Sequence, residues 1–189
     1  MEDLVEAART APEGDMRAFE KLVRLYQGRV KANCRHLTRS IDDAEDLTQE
    51  VFVKAFFGLS RFEGRASFKT WIQRIKVNHC LNFLKKKEGK TFVPFGEPGE
   101  GEPEPAVEPT AERQVESGEA RRQISEILDE LPDTLRVPLV MCDVDQFSYQ
   151  EIAETLGIGL SAVKMRIKRG REEFRKRFGS RERTVPVEG

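Results

Sequence analysis

Between Glu88 and Glu116 the chain can bury almost nothing, and that divides everything else in two. The segment contains GEPGEGEPEPAVEP and has almost no large apolar residue after Phe95. Glycine and proline break regular structure, the glutamates repel one another, and too little apolar surface remains to offset the entropy of ordering. The 29-residue stretch reads as a disordered acidic linker, with a random-coil reach of ~30 Å. What flanks it has helical periodicity. The sequence therefore predicts an all-α chain of two small helical domains, residues 1–87 and 117–179, with the linker over 88–116 and a frayed polar tail over 180–189.

Charge follows the same division. The formal net charge is −1, which conceals strong segregation. Glu88 to Glu119 carries a net charge of −7, Leu160 to Arg183 a net of +7, and Arg61 to Lys87 another +7. Blocks of one sign on separate segments imply separate tasks, so the overall balance does not argue against a polyanionic ligand. The three cysteines, Cys34, Cys80 and Cys142, are odd in number and far apart. They argue against a disulfide framework and fit a reducing cytoplasm. No apolar run has membrane-spanning length, and the N-terminus has no secretory pattern.

In the first domain, Glu2 to Ala11 suits a short helix ended by Pro12 and Gly14. Asp15 is placed to cap the next. Phe19, Leu22, Val23, Tyr26, Val30, Cys34 and Leu37 then form one buried stripe of a long amphipathic helix. Cys34 and His36 make a C-x-H pair, but no second pair has zinc-site spacing, so neither a metal nor another cofactor is expected. Asp42 to Phe57 is the next helix. Ala44, Leu47, Val51 and Ala55 face a core, while Asp42, Glu45, Asp46, Gln49, Glu50 and Val53 recur on another face. Carboxylates near a helix start favour its dipole. A nuclease would use them as metal ligands, but no second acidic cluster faces them. An acidic face ending in Gln, Val and Phe reads best as a protein-docking surface, and it repels DNA.

Ser60 to Ser67, SRFEGRAS, is a loop with Gly64 as pivot, and Ser67 caps a third long helix, FKTWIQRIKVNHCLNFLKKK. Phe68, Trp71, Ile72 and Ile75 form its packing stripe, continued by Leu81 and Leu84. Arg74, Asn78 and Lys85 lie in line away from that stripe. Cations and a hydrogen-bonding side chain beside an aromatic-containing loop suit single-stranded nucleic acid. Asn is a poor helix-interior residue whose amide can pair with a base edge. His79 and Cys80 have no ligand partners in sequence and read as structural.

In the second domain Ile124, Ile127, Leu128 and Leu131 form a helical stripe. Pro132 suits the first position of a further helix, and Pro138 predicts a kink or interruption. Ser148 to Phe178 then reads as two short helices around a tight turn. Ser148 and Glu151 have capping-box spacing, Gly157 suits an abrupt helix end, and Ser161 suits a cap for the second helix. Val163, Ile167, Phe174 and Phe178 supply a buried stripe; Lys164, Arg166, Lys168, Arg169, Arg171, Arg175, Lys176 and Arg177 fill the rest. A helix-turn-helix with a basic recognition helix and an amphipathic hairpin with a solvated basic face both fit this stretch.

The motifs GDMRAFEKLVRLY, DDAEDLTQEVF, RFEGRASFKTWIQRIKVN, LPDTLRVPLVM, FSYQEIAETLGI and KMRIKRGRE, in this order, resemble the extracytoplasmic-function family of bacterial RNA polymerase sigma factors. The resemblance implies a non-enzymatic, cytoplasmic initiation subunit without cofactor or metal. It implies core polymerase (β′ clamp helices and β subunit), promoter DNA and an anti-sigma factor as partners. The first domain corresponds to sigma region 2: Asp42, Glu45, Asp46, Leu47, Gln49, Glu50 and Phe52 would grip the β′ clamp helices. Phe62, Gly64, Arg65, Ser67, Arg74, Asn78 and Lys85 would meet the −10 element, with Asn78 near a flipped base. The second domain corresponds to region 4, where Ser161, Lys164, Arg166, Lys168, Arg169 and Arg171 would meet the −35 element. The linker would run along the RNA exit path. The family's usual Gly-Thr, Ser and Ala are here Ser161–Ala162, Met165 and Gly170. A stand-alone helix-turn-helix regulator is the competing reading; it predicts tight duplex binding without polymerase.

Overall fold

The computed structural model describes residues 2–12, 14–87 and 118–182, so the acidic linker and the last residues lie outside the described residues. What is described is helical throughout and divides into two units. The first holds α1 (Glu2–Arg9), α2 (Arg17–Thr38), α3 (Ile41–Gly58), a 3-10 turn (Leu59–Arg61) and α4 (Phe68–Lys87). The second holds α5 (Gly118–Glu130), α6 (Asp133–Leu139), a π turn (Val140–Val144), α7 (Tyr149–Leu156) and α8 (Leu160–Glu182).

In the first unit α2, α3 and α4 pack mutually, and α1 lies against α2. The stripe anticipated for α2 is the seam: Phe19, Leu22, Val30, Cys34 and Leu37 are buried. From α3 come Ala44, Leu47, Val51, Phe52 and Ala55, and from α4 Phe68, Ile72, Val77, Cys80 and Leu81. Each fully buried Leu or Ile contributes about 1.5–3 kcal/mol through removal of its apolar surface from water. The helix ends follow local chemistry. Ser40 and Ser67 accept from the backbone N–H groups of Asp43 (3.1 Å) and Thr70 (3.2 Å), satisfying donors that a helix start leaves open. Asp15 precedes the N-cap residue, Met16, and its carboxylate binds the Arg17 backbone and guanidinium instead.

Two polar features are not visible in one-helix periodicity. Lys76 of α4 is fully buried, so that cation adds nothing to the exposed charge of the helix. The Cys80 and Cys34 thiols meet 3.5 Å apart, and both cysteines are buried as free thiols. Cys80 is structural, as expected, but its partner is a residue of α2.

In the second unit α6 and α7 pack on α8. Pro138 lies inside α6, and the interruption it predicts follows at once: the backbone widens into the π turn, closed by Asp145 N–H to the Val140 carbonyl at 3.0 Å. Pro132 is the N-cap residue, one position before the expected one. Gly170 sits where α8 crosses α6. A Cβ there would lie 3.3 Å from the Leu135 carbonyl oxygen and 3.5 Å from Leu139 Cβ, so the missing side chain permits this close approach.

The second helix of the predicted pair is longer than expected. α8 runs 23 residues, through Gly179 to Glu182, where a frayed tail was anticipated. Arg181 explains the extension. It bridges to Glu126 (2.8 Å) and Glu130 of α5, and Arg177 also reaches Glu130. These guanidiniums, with Arg122 on Glu126, hold the carboxyls of Glu126 and Glu173 below their ordinary range; for Glu173 the cation is Arg177. Arg177 and Arg181 therefore serve packing of α8 on α5. Phe174 and Phe178 stack on each other and are half-buried rather than core.

Candidate protein and nucleic-acid interfaces

The exposed side of α3 is a single stripe. Asp42, Asp46, Val53 and Phe57 recur at helical spacing, flanked by Gln49 and Glu50, and all are exposed. The acidic end passes into an apolar end, with Phe57 74 % exposed. The other carboxylates are engaged by neighbouring helices. Asp43 pairs with Lys87 (2.9 Å), Glu45 with Lys31 (3.1 Å) and Glu50 with His79. Lys87 lowers the Asp43 carboxyl below its ordinary pKa. Among the described residues Asp42 and Asp46 carry no such pair. Two expected contact residues move to the interior: Leu47 is 3 % exposed and Phe52 7 %. Both pack inside the first unit and contribute little to the exposed stripe. The apolar side chains exposed on the stripe are Val53 and Phe57.

The loop after α3 turns at Gly64, whose φ of 71° lies in the left-handed region. Phe62 is an anchor rather than a free stacking platform: its ring lies 5.0 Å from Trp71 and 6.2 Å from Phe68. Tyr26 meets Phe68 from α2 at 5.3 Å, so an aromatic cluster fixes the loop's base. The Ser67 hydroxyl is used by the α4 cap and by Thr70. Arg65 is exposed at the tip and pairs with Glu63 at 2.6 Å. Beyond the loop, Arg74, Asn78 and Lys85 share one half-buried row of α4. Among the described residues no protein group hydrogen-bonds the Asn78 amide. Its donor and acceptor are available to a ligand.

The helix-turn-helix of the second unit is formed as its sequence dictates. Ser148 N–H donates to Glu151 Oε2 (2.8 Å) while Glu151 N–H donates to Ser148 Oγ (3.2 Å), the full capping box. Gly157 closes α7 with φ 65°. Helix α8 starts at Leu160, so Ser161 lies in its first turn and is not the cap. Val163, Ile167 and Gly170 are buried; Ser161, Lys164, Met165, Lys168 and Arg169 are exposed and Arg166 half-buried. Met165 lies on that exposed face, 51 % exposed.

Arg171 departs from expectation. Its Nε and Nη2 hold both Asp143 oxygens at 3.0 and 2.6 Å, which raises its pKa further. Nη2 also lies 3.6 Å from Cys142 Sγ; burial, then Asp143, pushes that thiol up to about 12. Both partners of the pair are partly exposed, so Arg171→Ala should cost about 1 kcal/mol of stability. It should weaken DNA binding only to the extent that the unit unfolds. Lys164→Ala and Arg169→Ala should leave melting unchanged and each reduce the salt-dependence slope of DNA binding by about one. Melting curves and salt titrations of labelled duplex separate these outcomes. Equal loss of slope in Arg171→Ala, without a melting shift, would mean Arg171 leaves Asp143 for a phosphate.

Comparisons with known proteins identify the family of each unit. The sigma-70 region 2 family matches residues 22–89 and the sigma-70 region 4 family matches residues 121–174. The chain is 32 % identical over 171 residues to the ECF RNA polymerase sigma factor SigW of Bacillus subtilis, covering 88 % of this chain and 91 % of SigW. It is 32 % identical over 166 residues to the ECF RNA polymerase sigma factor SigE of Mycolicibacterium smegmatis, covering 88 % of this chain but 63 % of that longer relative. The fold resembles that of the sigma factor RpoE in a co-crystal with the anti-sigma factor NepR from Bartonella quintana, with a TM-score of 0.57, 21 % identity, and 85 % and 96 % of the two chains covered. The chain therefore belongs to the extracytoplasmic-function family of sigma-70 RNA polymerase sigma factors, and is an alternative sigma factor of transcription initiation.

Proposed function

We propose that three surfaces divide the initiation task. The α3 stripe of Asp42, Asp46, Gln49, Val53 and Phe57 docks on the β′ clamp helices of core polymerase. The Arg61–Ser67 loop and the α4 row of Arg74, Asn78 and Lys85 hold the opened −10 strand. Ser161, Lys164, Lys168 and Arg169 of α8 meet the −35 element, with Arg166 at the edge. An anti-sigma protein, as in the RpoE–NepR complex, is the regulatory partner this family membership suggests, and action inside the cell follows from polymerase as partner. The protein performs no chemistry itself; polymerase does.

The observation that carries this reading is the separation of the surfaces within the first unit. An acidic-to-apolar face on α3 suits a protein partner, and a cationic row with an open amide on α4 suits a base and its phosphates. Strand opening draws on binding: extracting a base costs a few kcal/mol, offset by hydrogen bonds to its edge and by phosphate contacts. Run-off transcription with purified core polymerase and a promoter library tests the whole. Tight duplex binding without polymerase, together with no binding to core, would replace it with a stand-alone regulator.

Asn78→Ala gives the finer test. A well-made pair of hydrogen bonds to a base edge discriminates by about 1–3 kcal/mol, so open-complex formation should fall by roughly tenfold or more. Polymerase affinity should stay within about twofold, because α3 is untouched. Permanganate footprinting reads the first quantity and competition for core polymerase the second. Equal loss of both would make Asn78 structural.

A further inference from the structure

We infer that Met165 reads a thymine of the −35 element through the base's 5-methyl group. This rests on the assignment of α8 to that element, and goes beyond it by naming one residue and the base atom it meets. Met165 is 51 % exposed, an apolar side chain on a face whose other exposed residues there are Ser161 and the cations Lys164, Lys168 and Arg169. It lies opposite the buried line of Val163, Ile167 and Gly170, with Ser161 one turn before it and Lys164, Lys168 and Arg169 around it. Helix α8 seated by its buried line on α6 and α7 therefore presents Met165 outward, at the middle of its DNA-facing half.

The chemistry limits what such a side chain can read. Flanking cations are drawn to phosphates and set register and affinity, while the central residues of a helix in the major groove meet base edges. A thioether donates no hydrogen bond and accepts only weakly. Against cytosine or adenine it would strip water from an amino group, and against guanine from two acceptors, without replacing those bonds. Thymine alone presents an apolar group in the major groove. Met165 and a thymine methyl can both leave water at no cost in lost hydrogen bonds. The flexible thioether also adapts its shape to that contact. Arg and Lys neighbours cannot supply this preference, since their phosphate contacts are the same for every sequence.

Replacement of thymine by uracil removes the methyl group and nothing else, which makes the test direct. Full-length protein is assembled with core polymerase and used to select −35 sequences. Each thymine of the selected element is then replaced singly by uracil on either strand. Burial of about one methyl group predicts one position where the change weakens binding by about three- to tenfold. In Met165→Ala, and separately in Met165→Gln, that thymine-to-uracil ratio should fall to one while phosphate-dependent affinity persists. Both substitutions are on an exposed position and should leave the helical circular dichroism intact. A holoenzyme for which thymine and uracil are equivalent everywhere overturns the inference, as does an unchanged ratio in the two variants. Failure to bind promoter DNA at all overturns the parent assignment of α8 and this inference with it.

Discussion

Asp46→Lys is expected to lower affinity for core polymerase by tenfold or more while leaving the protein folded. Asp46 is exposed in the middle of the α3 stripe, between Asp42 and the apolar end at Val53 and Phe57. It makes no ion pair among the described residues. Its carboxylate therefore contributes little to stability, and a surface substitution of this kind stays within about 0.5 kcal/mol. Against a basic partner the reversal replaces an attraction by a repulsion, which costs several kcal/mol where the groups are close. The choice of residue matters. Glu50→Lys would also remove the partner of His79, and Glu45→Lys that of Lys31, so either would mix packing with binding. Phe57→Ala serves as the apolar counterpart and should weaken the same interaction by removing contact area. Competition of labelled protein for core polymerase gives the affinity, and a melting curve gives the fold. Wild-type affinity in Asp46→Lys would remove the α3 stripe from the interface.

The stripe also separates what sequence can and cannot disclose. Helical spacing placed Leu47 with Ala44, Val51 and Ala55 on the core side, and the structure agrees. The family resemblance implies a polymerase grip by Leu47 and Phe52, and both are buried within the first unit. Caps were legible at Ser67 and Ser148 because a cap is a local hydrogen bond between residues a few positions apart. The interruption after Pro138 was legible for the same reason: a missing N–H acts locally.

What was hidden depends on neighbours distant in sequence. Nothing local says that Cys80 meets Cys34, that Arg171 spends its guanidinium on Asp143, or that Arg181 extends α8 by reaching α5. A basic run on one helix looks uniform until its partners are known. Two of the eight cations of the α8 run named for the surface, Arg171 and Arg177, are then engaged within the unit. That leaves Lys164, Lys168 and Arg169 as the exposed cations of its first three turns, beside the exposed Met165. Charge dominates the reading of such a run, yet its exposed face also carries an apolar side chain.

Arg136 supplies the largest expected effect on the fold. It is 1 % exposed, its Nη2 donates to Asp133 Oδ1 at 3.0 Å, and it is among the largest side chains wholly inside the protein. Arg136→Ala removes the long apolar stem as well as the charge and leaves a cavity in the second unit. Truncation of a buried side chain of this size costs about 3 kcal/mol, a large share of the stability of a domain this small. Arg136→Met retains most of the volume and removes the need to desolvate a cation, so its stability should lie within about 1 kcal/mol of the parent. The pair of variants thus separates packing from charge. Trp71, the single tryptophan, lies in the first unit, so its fluorescence follows that unit, whereas far-ultraviolet circular dichroism follows the helices of both. Urea titration of Arg136→Ala should bring part of the dichroism transition to lower denaturant while the Trp71 transition stays in place. Equal destabilisation by Met and Ala would show that the guanidinium itself holds α6. No shift in either would mean the site relaxes around the loss, and the second unit would owe its stability to the Ile127, Leu131, Met141, Ile152 and Ile167 cluster alone.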